Sequence, residues 1–371
     1  MSSSGRRVRS RRTSPVVVTH AGTPAGAAVV RALVSGAAGA PTPVVALASS
    51  ERPAPDDLPG DLVRLVEDAD LVVPTVADHL SGARAVVHVL APDDLAGELA
   101  DHGRRERLTR EIQTLVLAGA ATGVRHLVLV TSAMVCGASA DNDLPLPEDA
   151  VRAAGSASGL VADLVAAEEA LESAAAIHPG LTTTIVRPAT LVGGTDTIIT
   201  RHVAAPRLLR LKDSAPAWQL CHVDDLGAAI SYVVSAQLAP VVTVGCEGWL
   251  DQDRFEELTA LRTVELSTAA ATGIAHRLHR IGSLPSPATD LSYVAQPWAV
   301  GSSRLRAEGW RPAYDNSTCV EVLLDDARAH RMGATRRFDR KDGAAIGAAS
   351  AAVAVGATAA IMRRRRKKGS T

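Results

Sequence analysis

Three stretches of this sequence carry residue types and spacings that could do chemistry. The first is His20-Ala21-Gly22-Thr23-Pro24-Ala25-Gly26. A glycine-rich turn between a strand and a helix lets backbone N–H groups approach a pyrophosphate, and the helix N-terminus adds positive potential. Against the G-x-x-G-x-x-G spacing of a dinucleotide loop, His20 and Thr23 stand where the first two glycines belong. Gly22 is displaced by one position and Gly26 is in place, while Pro24 removes one donor that could face the phosphate. Gly22, Thr23 and Gly26 are the candidate cofactor-binding residues here; the competing reading is a tight strand-to-helix turn that holds no ligand. The second stretch is the end of the next strand, where such a site needs an acid for the ribose hydroxyls. Ala48 stands there, and Glu51 is a weak substitute. The third is Ser132 with Cys136 after it, a hydroxyl and a thiol at another strand end.

The elements that must position these residues show in the hydrophobic pattern. Val16–Thr19 reads as a first strand, and Ala25–Leu33 as the helix after the glycine turn. Val44–Leu47, Val63–Val66, Ala85–Leu90, Leu127–Thr131 and Thr183–Val186 are further short apolar runs, separated by helical or loop stretches. Short, almost wholly apolar strands are those covered by helices on both faces. The order βαβαβ gives an α/β fold with a Rossmann-type doubly wound parallel sheet. After Val192 the strands become sparse, and residues 190–335 read mainly as a smaller C-terminal, substrate-side lobe of a domain spanning 15–335.

Five segments, in order, resemble the NAD(P)-dependent epimerase/dehydratase family of the short-chain dehydrogenase/reductase superfamily. Leu127 to Gly137 is similar to its V-x-V-S-S-A-x-V-Y-G strand, with Ser132 at the catalytic Ser/Thr position and Cys136 replacing the usual Tyr. Pro145 to Asp149 resembles its P-L-x-E-D loop, and Ile185 to Gly193, with Arg187 and Pro188, its L-R-P-x-x-x-x-G strand and loop. His222 to Leu226 resembles H-V-D-D-L, and Ser303 to Pro312 the closing S-x-x-L-G-W-x-P element. Asp70-Leu71 matches a pair that the family aims at the adenine edge. The resemblance implies NAD or NADP as cofactor, Asp70, Arg187 and Pro188 as further cofactor-binding residues, a sugar-nucleotide-type substrate and a homodimer packed through helices. It also places a His at the position of His88, which favours packing over ligation. His222 reads as a structural hydrogen-bonder, and Asp224 and Asp225 as caps of the next helix.

The resemblance fails at the chemistry. The family's acid/base is Tyr-x-x-x-Lys on the helix after the Ser, with the Lys lowering the Tyr pKa. Leu160 and Leu164 occupy those positions, and no alignment detail rescues them: the first tyrosine in the chain is Tyr232 and the first lysine Lys212. Ser132 is then a catalytic remnant. Two hypotheses stand: a nominal oxidoreductase or epimerase with another residue in place of the pair, and a catalytically inactive Rossmann-fold protein that binds a nucleotide or small molecule as sensor or scaffold.

Composition bounds the partners. A net charge of −1 over 371 residues gives no reason to expect nucleic acid. The four cysteines lack C-x-x-C spacing, no His/Asp/Glu cluster at metal-ligand spacing is visible, and no metal is expected. No signal peptide is evident, so a cytoplasmic location is the default. Basic residues gather in a tail before Ser14 and in Arg363–Lys368, and Gly343–Met362 carries no charge. That run is long enough to span a bilayer but is dominated by alanine. A membrane anchor, a helix lying on a membrane or a partner through 343–368, and a soluble tail all remain open.

Overall fold

A computed structural model describes residues 14–337 except 59, 92, 154–158, 213 and 281–287. The expectations for the N-terminal tail, bar Ser14, and for everything after residue 337, including Gly343–Met362, lie outside the described residues. No helix among the described residues is long and apolar enough to cross a membrane.

The chain begins β1 (Val16–Val18), α1 (Pro24–Ser35), β2 (Val44–Ala48), β3 (Val63–Glu67), α2 (Ala77–Leu80), β4 (Ala85–Val89), α3 (Leu95–Ala100), α4 (Arg104–Thr122), β5 (His126–Val130), α5 (Gly159–Ala175) and β6 (Thr182–Pro188). It continues β7 (Thr190–Val192), α6 (Ile198–Ala204), β8 (Leu208–Lys212), β9 (Leu220–His222), α7 (Val223–Ala236), β10 (Val241–Val244), α8 (Gln252–Thr259), β11 (Thr263–Ser267), α9 (Thr268–Arg280), α10 (Ser303–Ala307) and α11 (Asn316–Arg337). The main sheet has seven strands in the order β10-β6-β5-β4-β1-β2-β3, and all its pairings are parallel. Every apolar run read as a strand is present within a residue or two of its expected ends. β1, β2, β4 and β5 are buried along their whole length, which is why they carry no alternation.

The stretch after Val192 is not confined to a separate lobe. β10 returns to the main sheet beside β6, with Val241 opposite Ile185. α7 lies along α1, and Gly227 permits the approach: a Cβ there would stand 2.4 Å from the Ala28 carbonyl oxygen. The remainder forms two small sheets, β11 with β8 and β7 with β9. Its packing uses the scarce aromatics, with Trp218 stacked on Phe255 at 4.2 Å and Trp298 edge-on to Tyr293. Elsewhere the core is aliphatic, and each fully buried Val or Leu contributes roughly 1.5–3 kcal/mol.

Candidate nucleotide site

β1 and β2 end side by side, and the glycine turn leaves β1 at that edge. Thr23 caps α1: its Oγ1 accepts from Gly26 N at 3.1 Å and donates to the His20 carbonyl at 2.9 Å. Pro24 at the first helical position has no N–H to offer. The two glycines are fixed by close packing of chain on chain. A Cβ on Gly22 would lie 1.9 Å from the Arg52 carbonyl oxygen, and one on Gly26 would lie 2.1 Å from that of His20.

Beyond this turn lies a cleft of about 460 Å³, within the roughly 300–1,000 Å³ usual for ligand pockets. Leu47, Ala48, Leu71 and Val72 supply its apolar wall, and Gly22, Thr23, Ser49, Arg52 and Asp70 its polar rim. Arg107, Arg110, Glu106 and Glu111 of α4 face it from the other side. Of the residues expected to bind a cofactor, Gly22, Thr23 and Asp70 meet here; Gly26, Arg187 and Pro188 are not among the lining residues. Asp70 already accepts from Val72 N at 2.9 Å through one oxygen. Ala48 leaves the ribose position without an acid, and Glu51 does not line the cleft. Arg52, paired with Asp93 at 3.1 Å, stands beside Ser49 instead. The charges of the cleft lining balance, Arg52, Arg107 and Arg110 against Asp70, Glu106 and Glu111, and the glycine turn beside it is capped by Thr23 and carries Pro24 at the first helical position.

One group in this cleft escaped the sequence. His20, at the end of β1, His88 on β4 and Glu111 on α4 point at one another. Nε2 of His20 lies 3.8 Å, and Nε2 of His88 3.6 Å, from Glu111 Oε2. None of the three atoms has a hydrogen-bond partner among the described residues. His88 lies within β4, and it does more than pack: Nδ1 meets Thr19 Oγ1 at 2.8 Å while Nε2 faces the cluster. Burial, with help from the neighbouring His20, holds its pKa down to about 3, so the ring is neutral at neutral pH. Burial works to raise the Glu111 carboxyl, but His20, His88 and Arg107 outweigh it and bring it to about 2. The structure brings together a group that sequence spacing does not show. The three residues are far apart in sequence, and only the parallel order β4-β1 with α4 laid across it makes them neighbours.

The region of the absent acid/base pair is apolar. Leu160 and Leu164 of α5 are both buried in the hydrophobic core. Ser132 starts a 3-10 turn, its Oγ accepting from Met134 N at 3.2 Å, so it serves as a cap. α5 carries two buried carboxylates: Asp163, which accepts from Arg104 Nε at 2.8 Å, and Glu168 one turn beyond Leu164. Glu168 accepts from Thr131 Oγ1 at 2.7 Å and pairs with Arg187, whose Nη1 donates to the Ala150 carbonyl at 2.8 Å. A second cavity, about 390 Å³, is lined in part by Cys136, Val161 and Tyr293. Tyr293 donates its hydroxyl to the Met134 carbonyl, and burial pushes its pKa well up. Burial likewise raises the Cys136 thiol, which Arg187 offsets only in part.

The remaining motif segments tie the fold together. Glu148 Oε1 accepts from Ser303 Oγ and Arg304 N, joining two of the family-like segments. His222, not Asp224 or Asp225, caps α7: its Nδ1 accepts from Asp224 N at 3.2 Å. Asp225 is buried and instead accepts from the backbone of Ala313 and Tyr314.

Residues 24–212 match the model of the family described as NAD(P)H-binding. No curated protein matches the sequence. Among solved structures, MoeE5 in complex with UDP-glucuronic acid and NAD is 20% identical with a TM-score of 0.61, covering 85% of this chain and 99% of that one. The UDP-N-acetylglucosamine 4-epimerase from Methanobrevibacter ruminantium M1, in complex with UDP-N-acetylmuramic acid, is 15% identical with a TM-score of 0.62, covering 87% and 99%. DesIV, the dTDP-glucose 4,6-dehydratase from Streptomyces venezuelae with NAD and TYD bound, is 18% identical with a TM-score of 0.62, covering 88% and 100%. At these identities the likeness is one of fold.

Proposed function

The chain belongs to the NAD(P)H-binding family, and from that premise we propose that it binds the adenosine half of NAD(P) in the cleft beside β1 and β2 without running the usual hydride-transfer cycle. The observation that carries this reading is the contrast between the two ends of the site. The open cleft offers an apolar wall and arginines interleaved with carboxylates, whereas Leu160 and Leu164 are buried where proton transfer would be organised. Leu47, Ala48, Leu71 and Val72 would hold the base, and Thr23 and Gly22 would border the phosphates. Ala48 in place of an acid, with Arg52 and Ser49 beside it, favours a ribose bearing a 2′-phosphate, hence NADP(H) over NAD(H). When bound, the nicotinamide would supply hydride chemistry; this chain contributes binding and orientation.

An oxidoreductase or epimerase of a sugar nucleotide would need a group near Ser132 that moves a proton. Tyr293 and Cys136 are the nearby candidates, but burial raises both pKa values and the Tyr293 hydroxyl is engaged by Met134. A nucleotide-dependent sensor or scaffold is therefore the better reading.

Calorimetric titration of the full chain with NAD⁺, NADH, NADP⁺ and NADPH tests it. Micromolar binding with the phosphorylated pair preferred is the expected result. Absence of heat and of any thermal shift at millimolar nucleotide would sink it, and substrate-dependent oxidation or reduction at enzymatic rates would restore the enzyme reading.

A further inference from the structure

We propose that His20, His88 and Glu111 form a binding site for one divalent transition-metal ion of the zinc class, through Nε2, Nε2 and Oε2. Imidazole nitrogen and carboxylate oxygen bind such an ion at about 2.0–2.2 Å, so adjacent ligand atoms in a tetrahedral set stand about 3.4 Å apart. The two histidine–glutamate edges here are 3.8 and 3.6 Å, and all three donor atoms lie within 4.8 Å of one another. Contraction by a few tenths of an ångström would bring both histidine–glutamate edges to that spacing.

The polar accounting points the same way. Buried polar side-chain atoms are nearly always hydrogen-bonded, yet three unpartnered ones converge on one point. His88 is wholly buried and Glu111 nearly so, which leaves few partners other than an ion or a water. The outer contacts suit a metal. Thr19 Oγ1 at His88 Nδ1 can accept from that nitrogen and leave the Nε2 lone pair turned inward. Arg107 Nη1 holds the other Glu111 oxygen at 3.3 Å. Partners of this kind orient metal ligands. His20 adopts a left-handed backbone, φ 51°, uncommon for a residue other than glycine, and its side chain is 31% exposed toward the cleft. The three donor atoms themselves are buried, so a further ligand to the ion would be one as small as water.

The test is titration of the chelator-treated full chain with Co²⁺, with no nucleotide present, followed by displacement with Zn²⁺. The expected result is one equivalent of Co²⁺ per chain with visible absorption of a four-coordinate site, bleached by Zn²⁺. His20→Asn, which keeps a residue tolerant of the left-handed turn, and the isosteric Glu111→Gln should each weaken binding at least about tenfold. Failure to bind a stoichiometric ion at micromolar Co²⁺, or equal binding by both folded variants, would overturn the site and leave a buried water as the occupant. Because nucleotide is absent, failure here does not bear on the nucleotide reading, and failure of that reading does not bear on the metal.

Discussion

Glu168 Oε2 stands 2.7 Å from Arg187 Nη2, in a pair with neither side chain more than 3% exposed. The carboxylate sits one turn beyond Leu164 on α5, so the helix that carries proton chemistry in the family carries a structural ion pair here. Arg152 Nη1 approaches the same oxygen at 3.6 Å, and Thr131 binds the other.

Breaking this pair from one side strands a buried charge. Glu168→Ala is expected to destabilise the fold by about 3–5 kcal/mol. Glu168→Leu combined with Arg187→Met should recover much of that loss. Urea denaturation of the single and double variants measures both, and an additive double variant would show that the pair is not coupled.

Gly22 and Gly26 should tolerate nothing larger. Gly22→Ala places a Cβ against the Arg52 carbonyl and Gly26→Ala against that of His20, each costing about 1–3 kcal/mol or more, since backbone must move. Gly180, with nothing within 4 Å of its Cβ position, is the control: Gly180→Ala should be neutral or slightly stabilising. Thermal melts of the three variants distinguish them.

Reinstalling the acid/base pair should harm the protein. Leu164 is 3% exposed, and a lysine ammonium there loses its hydration while Glu168 one turn on is already engaged by Arg187 and Thr131, at a cost of several kcal/mol. Leu160→Tyr combined with Leu164→Lys is expected to melt well below the parent and to show no oxidoreductase turnover. Turnover in the double variant would mean that this face of α5 opens to a bound nucleotide.

Nucleotide choice should turn on Arg52. Arg52→Glu is expected to weaken NADP⁺ binding about tenfold or more, about 1.4 kcal/mol, while leaving NAD⁺ nearly unchanged. Equal losses for both nucleotides, measured by calorimetry, would place Arg52 outside the ribose subsite.

Acid should unfold the chain through buried neutral histidines. His202 is wholly buried, stacked against Trp218 at 5.8 Å, and burial lowers its pKa to about 3. Above about pH 6.5 it is neutral folded or unfolded and contributes no pH dependence. Below that, the unfolded chain takes up a proton that the folded chain refuses. Stability therefore falls by up to about 1.4 kcal/mol per pH unit from this residue as pH drops toward 3. His202→Phe keeps the stack and removes the titration, so its stability between pH 7 and pH 5 should fall less steeply than that of the parent.

Six of the seven strands of the main sheet were legible in the local pattern. Short runs of Val, Leu and Ile bounded by turn residues read as strands, of which β1, β2, β4 and β5 are buried along their length while the edge strand β3 is not, and the glycine turn after the first fixes where helix α1 begins. The sequence by itself also determined that Tyr-x-x-x-Lys is missing, because no tyrosine or lysine exists in the first half of the chain. β10 was not legible: Val241–Val244 is four residues among loops, and its place beside β6 depends on a crossover that local pattern does not encode. The histidine–glutamate cluster was hidden for the same reason. His20 is read locally as a damaged glycine position, His88 as a polar break in a strand, and Glu111 as one of many charges on a helix. Parallel pairing sets β4 beside β1, α4 packs across their ends, and the three side chains then share one buried point. Local spacing records what a residue can do; which residues meet is decided by strand order and by the burial that removes their water.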